Sequence, residues 1–369
     1  MTSTQRLLAV LTGKMPDRVP ISTYELVGHN PDSFENTEPS YRPLMDFIRE
    51  HTDCIYMTGI DVPNMADSRC MKVQKWDEAG SHWKKVTYDA GGRTLTKVTS
   101  RTDDVHTTWT RKHWCGDLED AGVLLDRPVE FGKADFGALT AAWVRLGDDK
   151  GLPLISLADP LCELAELFEF GEFTVLAMTE TDTIVKYLDQ IHERRLAELG
   201  LMLAGPVKNT VWRIVGPEYA APPYMPPELF RRFVTPYVSQ YVRMIHSAGA
   251  FARLHVHGKI GRLLDQFIEM GVDATDPVEP PPDGDATVSK VKAAIGDRVC
   301  LMGGIELKFL ENNDEKSVEK LTRQIMAEGK PGGRFVIMPT AAPINVPLSP
   351  QTDRNYRRFI QTALETGQY

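Results

Sequence analysis

Phe251-Ala252-Arg253-Leu254-His255-Val256-His257-Gly258, followed by the apolar stripe Leu263, Leu264, Phe267 and Ile268 and then by Val272-Asp273-Ala274-Thr275-Asp276, decides the fold. A short apolar run, a stretch with a 3.6-residue period and a second short run read as strand, helix, strand. The alternation continues outward in both directions. Candidate strands lie at 152–157, 210–215, 251–256, 272–276, 299–302 and 335–338, and two more at 19–22 and 54–57 complete a set of eight. Between and after them, Phe230, Phe233, Val234, Tyr237, Tyr241 and Ile245 form one helical stripe. Tyr356, Phe359, Ile360, Ala363 and Leu364 form another, opened by Ser349 and Pro350 at the cap and first-turn positions. Parallel strands joined by crossover helices predict an α/β chain, closed as a (β/α)8 TIM barrel and forming a single domain over 1–369.

One stretch breaks the rhythm. Residues 83–88, the turn Asp89-Ala90-Gly91-Gly92, then 94–99 and 107–110 are rich in Thr, Val and Trp. They predict an antiparallel β ribbon, inserted at about 80–115 over one end of the barrel.

Composition narrows the function. The chain has 369 residues, and 42 Lys plus Arg against 51 Asp plus Glu give a net charge of −9. That balance argues against nucleic acid, whose affinity for proteins comes largely from cations neutralising phosphates, and against an anionic membrane surface. No stretch approaches the ~20 consecutive apolar residues needed to span a bilayer. The N-terminal run Arg6 to Leu11 lacks a cleavage site and reads as a first amphipathic helix. The five cysteines show no paired framework, which fits a reducing compartment; the cytoplasm is expected. The isolated pairs Gly303-Gly304 and Gly332-Gly333 form no phosphate loop.

The chemistry concentrates at predicted strand ends. Alternate residues of a strand share a face, so His255 and His257 point the same way at the C-terminal mouth, where barrel enzymes carry their sites. Two imidazoles so spaced can bind one metal ion, or hydrogen-bond to backbone and carboxylates. The next strand runs into Pro277-Val278-Glu279, and neighbouring strand ends lie side by side, so Glu279 can join them. Two imidazoles and one carboxylate are a known catalytic zinc set with a fourth position open. Glu218, Tyr219 and Tyr224 follow another strand end and can supply a general acid or base and an aromatic wall, or simply pack. Trp212, Met302, Glu306 and Thr340 follow the same logic as pocket candidates. Cys300, inside a strand, reads as core.

These pieces resemble a known family. Gly216-Pro217-Glu218 through Met225-Pro226-Pro227-Glu228-Leu229-Phe230, the His255 to Gly258 strand, Gly271-Val272-Asp273-Ala274, Gly296-Asp297-Arg298-Val299 with Gly303-Gly304-Ile305-Glu306, and Gly332-Gly333-Arg334-Phe335-Val336-Ile337 are similar, in order, to the uroporphyrinogen decarboxylase superfamily. So is the opening that ends Pro16-Asp17-Arg18-Val19-Pro20. The superfamily contains decarboxylases and zinc-containing, cobalamin-dependent methyltransferases. The decarboxylases carry an Arg-Gln-Ala-Gly-Arg type segment after the first strand, whose arginines hold the tetrapyrrole carboxylates. Here that segment is Ile21-Ser22-Thr23-Tyr24-Glu25-Leu26-Val27, without an arginine. The methyltransferase branch has His-x-Cys-Gly where this chain has His255-Val256-His257-Gly258, a glutamate near the following strand end and a late cysteine. The resemblance therefore implies His255, His257 and Glu279 at ligand positions, with Pro339-Thr340-Ala341-Ala342 in the place of the late cysteine. A His, His, Glu set is harder and more Lewis-acidic than His, Cys, Cys. The reading that results is zinc-dependent methyl transfer between a small molecule and a corrinoid on a partner protein, with a homodimer as the family's common assembly. A zinc hydrolase or lyase, or a decarboxylase of a small acid, are the alternatives.

Overall fold

Short apolar runs buried on both faces build the central sheet. The computed structural model describes residues 1–90 and 92–369. Its strands, in chain order, are β1 Cys54–Thr58, β2 Met71–Glu78, β3 Ser81–Asp89, β4 Thr94–Thr102, β5 Trp109–Lys112, β6 Gly151–Ala158, β7 Val211–Val215, β8 Phe251–His255, β9 Ala274–Val278, β10 Cys300–Ile305 and β11 Phe335–Pro339. Seven of them form a curled parallel sheet in the order β1-β6-β7-β8-β9-β10-β11, and β2 to β5 form a separate antiparallel sheet. The predicted α/β barrel architecture and the inserted ribbon are both present.

The expected first strand at 19–22 is reduced to one parallel bridge, Ile21 to Ile337. It still fills the eighth place. Ser22 N donates to Ile337 O and Ile337 N to Pro20 O, while Asp53 N, just ahead of β1, donates to Ile21 O. Buried Asp53 fastens this segment by accepting from Ile21 N at 2.9 Å and from Arg6 Nη1 at 2.6 Å and Arg18 Nη1 at 2.8 Å. Pro20 and a short run leave too few free amides there for a ladder, so side-chain bonds take its place.

Two apolar layers result. Val211, Leu154, Ala274, Cys300, Met302, Val336 and Met338 fill the barrel interior, which the helix Ser3–Leu11 plugs with Leu7, Val10 and Leu11. The alternate strand residues, among them Ile214, Leu254 and Leu301, meet the surrounding helices. The single stripe expected from Phe230 to Ile245 is two helices, Pro227–Phe233 and Thr235–Ser247, broken before Pro236 as proline geometry requires.

The ribbon is longer than its composition suggested. Its strand β2, rich in Lys and Gln, was not expected; it is mostly exposed, so no burial pattern marks it in sequence. The β2–β3 turn places Ala79 and Gly80 at φ 49° and 74°, the pair of positive values that a tight two-residue hairpin needs. Gly91, in the other expected turn, lies outside the described residues. The loop after β4 is clipped to the segment before the last helix, with His106 N donating to Ile344 O and Val346 N to Asp104 O.

Candidate active site at the barrel mouth

Arg253 and His255 alternate along β8 with Leu254 and Val256, which sink into the helix layer, so the cation and the imidazoles face the barrel axis. Arg253 is 1% exposed and Asp276 of β9 fully buried. The guanidinium Nε and Nη2 donate to the two carboxylate oxygens of Asp276. His255 Nδ1 lies 2.8 Å from Asp276 Oδ2. Burial by itself would push the Asp276 carboxyl up, but the Arg253 and His255 charges hold it well below the usual carboxylate range. A carboxylate only accepts, so His255 turns an Nδ1 proton to Asp276 and points its Nε2 away from it.

His257 repeats the arrangement one step further out. Its Nδ1 lies 2.7 Å from Glu279 Oε1, and Gly258 N donates to Glu279 Oε2 at 2.9 Å. Desolvation lowers the His257 pKa, yet the Glu279 carboxylate, helped by Glu218 and Asp276, raises it overall. The two rings stand nearly perpendicular with centroids 4.8 Å apart. Glu279 thus uses both oxygens to hold His257 and its loop. Among the described residues, no three His, Cys, Asp or Glu side chains form a group able to hold a metal ion. The local chain turn depends on Gly258, at φ 100°, where a Cβ would come within 2.8 Å of Pro222 O.

Glu306, at the end of β10, accepts a hydrogen bond from the Thr340 hydroxyl at 3.4 Å, while its Oε1 is buried without a partner. Desolvation first, then the Glu279 and Asp283 carboxylates, push its pKa up to about 7. Glu218 folds back so that its Oε2 accepts from Gly216 N at 3.0 Å. Gly216 sits at φ 119°, and a Cβ there would fall 2.2 Å from Asp159 Oδ1. Tyr219 and Tyr224 pack on Phe170, at centroid distances of 5.9 and 4.7 Å. Two pocket candidates are core residues instead. Trp212 is fully buried on the helix-facing side of β7, its indole N–H donating to Thr210 Oγ1 at 3.0 Å. Met302 is fully buried in the barrel interior beside Cys300, whose thiol burial pushes up to about 12.

Sequence reasoning missed Arg253, Asp276, Arg213 and Tyr24. The first was legible, because it precedes His255 by two positions on the same strand face. Tyr24 was not: it adopts φ 57° in a turn, a conformation that side chains resist and that clusters at functional sites. Its hydroxyl accepts from Arg213 Nη1 at 3.0 Å, and its ring stacks beside His255 at 6.1 Å.

Residues 214–361 match the family model of uroporphyrinogen decarboxylase (URO-D). That segment contains both histidines, Asp276, Glu279, Glu306 and Thr340. A solved methyltransferase from Methanosarcina mazei shares the fold along the whole length, with a TM-score of 0.62, 17% sequence identity and 99% of each chain covered. No curated protein sequence matches the chain. The resemblance to uroporphyrinogen decarboxylases and to a methyltransferase of their fold stands on these two findings. No helix among the described residues is long and apolar enough to cross a membrane.

Proposed function

We propose, from the premise of a uroporphyrinogen decarboxylase-like barrel, that this protein is a zinc-dependent methyltransferase moving a methyl group between a small molecule and a corrinoid carried by a partner. One observation carries the reading. Two imidazoles on one strand end each have Nδ1 held by a carboxylate, which turns both Nε2 atoms away from those carboxylates. This is the outer arrangement that prepares histidines for a metal, fixing the tautomer and raising ligand basicity.

The donor pair therefore suits zinc, with His255 and His257 binding through Nε2 and Glu279, already in contact with His257, as the associated carboxylate. Zinc held by these residues would supply Lewis acidity, enough to lower the pKa of a substrate thiol or of water. The remaining work falls to the chain. Asp276, neutralised by Arg253, keeps His255 in one orientation. Glu306 Oε1, with its pKa near 7, can hold or release a proton at neutral pH. Glu218 Oε2 is engaged by Gly216 N, which leaves Oε1 for a substrate proton. Tyr219 and Tyr224, packed on Phe170, form an aromatic wall on one side.

The test is a methyl-transfer assay with free methylcobalamin and a panel of thiols, following the cobalamin absorbance after zinc loading. Turnover that needs zinc and vanishes in His255→Ala and His257→Ala supports the proposal. Carbon dioxide release from a small acid by metal-free protein would replace it with decarboxylation, and zinc-dependent hydrolysis without cobalamin would replace it with the hydrolase reading.

A further inference from the structure

The cross-strand rows of the ribbon step outward from a buried base. Met71, Tyr88 and Leu95 pair across β2, β3 and β4, and Tyr88 and Leu95 are buried against the main core. The next row on the same face is Val73, Val86 and Lys97, and the one after it Lys75, Lys84 and Thr99. This face looks down on Ala158 and Val215, the C-terminal residues of β6 and β7, across a cavity of about 570 Å³. Small-molecule sites run to roughly 300–1,000 Å³, so the space suits one small organic ligand.

The charges inside it are uneven. Arg195 in the floor is neutralised by Glu163 at 2.7 Å and Glu198 at 2.5 Å, and Arg127 faces Asp67 at 3.5 Å. Glu166 carries the remaining carboxylate, near the Cys162 thiol at 3.8 Å. Lys84 and Lys97, in the ceiling, have no hydrogen-bond or ion-pair partner among the described residues. Lys84 also stands directly opposite Lys75. Like charges so placed destabilise a sheet, and a bound anion relieves that repulsion. The concentration is local, because the chain as a whole carries a net charge of −9.

We propose that this cavity binds the anionic end of a small organic molecule, with Lys84 and Lys97 on the charge and Val73 and Val86 against the carbon frame. Val215 leads directly into Gly216 and Glu218, so the far end of the molecule points along the mouth towards the histidines. That last orientation rests on the methyl-transfer reading; the binding of an anion does not.

The experiment is calorimetric titration with benzenesulfonate and with benzenesulfonamide, its neutral counterpart of similar shape. Wild-type protein is expected to prefer the sulfonate by at least about tenfold, the size of one charge-assisted contact. The preference disappears in Lys84→Gln/Lys97→Gln and survives in Lys72→Gln/Lys85→Gln, which removes two cations from the opposite face of the ribbon. Equal affinity for the two probes in the wild type, or an equal loss in both double variants, overturns the proposal. Zinc uptake, measured on the same samples, keeps the two readings apart. A sulfonate preference without zinc uptake leaves the cavity standing and removes the zinc site; zinc uptake without the preference does the reverse.

Discussion

Arg253 and His255 share one oxygen of Asp276: Oδ2 accepts from the guanidinium Nη2 and lies 2.8 Å from the imidazole Nδ1. The buried cation is thereby wired to the orientation of the inner ring, His255. Arg253→Met leaves the buried Asp276 carboxylate with His255 alone and is expected to destabilise the protein by about 3–5 kcal/mol in denaturant unfolding. Arg253→Met/Asp276→Leu should recover much of that loss while losing hold of His255. A single variant as stable as the wild type would show that the ion pair carries no such weight.

Zinc uptake should depend on both Nε2 atoms. His257→Ala and His255→Ala are each expected to lower zinc affinity at least about tenfold. Glu279→Gln should weaken it less, since an amide can still contact His257. Because the His257 pKa is raised, protons should compete with zinc from above pH ~6.5, higher than for an ordinary imidazole. Competitive titration with a chromophoric chelator from pH 5 to 8 measures this; uptake independent of pH over that range would remove His257 from the ligand set.

Glu306 makes a separate pH signature. Its folded pKa of about 7 lies above the ordinary 4.5, so its contribution to stability is fully present below pH 4.5 and is lost as pH rises through 7. Relative to Glu306→Gln, the wild type should lose about 1–2 kcal/mol between those values, discounted for the solvent that reaches this partly buried group. Parallel thermal or urea unfolding curves at pH 4.5 and 7.5 test it, and a constant difference between the two proteins would refute the assignment.

Uroporphyrinogen should be a poor substrate. The segment that carries the arginine clamp in true decarboxylases here bears Tyr24 and Glu25, and Glu25 lies 3.4 Å from Arg213. The nearby cations are already engaged, Arg213 with a carboxylate and a phenol and Arg253 with Asp276, and an acid side chain faces a polyanion. Anaerobic incubation followed by porphyrin chromatography should detect no enzymatic coproporphyrinogen.

How far the sequence led depends on what each residue needed. His255 and His257 were legible because strand periodicity fixes their common face, and the strand order followed from apolar runs. The closing segment at 20–22 was not separable from a full strand, because its bonds go to the Asp53 side chain and to single backbone partners far along the chain. Trp212 was misjudged for a related reason: closeness to a strand end says nothing about which face a residue takes, and its neighbour Arg213 holds the inner one. The carboxylate pairing of Asp276 with Arg253 needed the register between β8 and β9, in which Arg253 lies beside Ala274 and His255 beside Asp276.

The bridge between Ile21 and Ile337 also orders the assembly of the chain in time. The segment can bond to Asp53 early, but its other partner, Ile337, lies in the last strand, so the ring closes only once β11 has left the ribosome. Until then the growing sheet keeps an open edge, exposed to pairing with other chains. Weakening the fastening of this segment, by Asp53→Ala for example, should therefore show itself first as a poorer yield of soluble protein during expression, before any change at the mouth of the finished barrel.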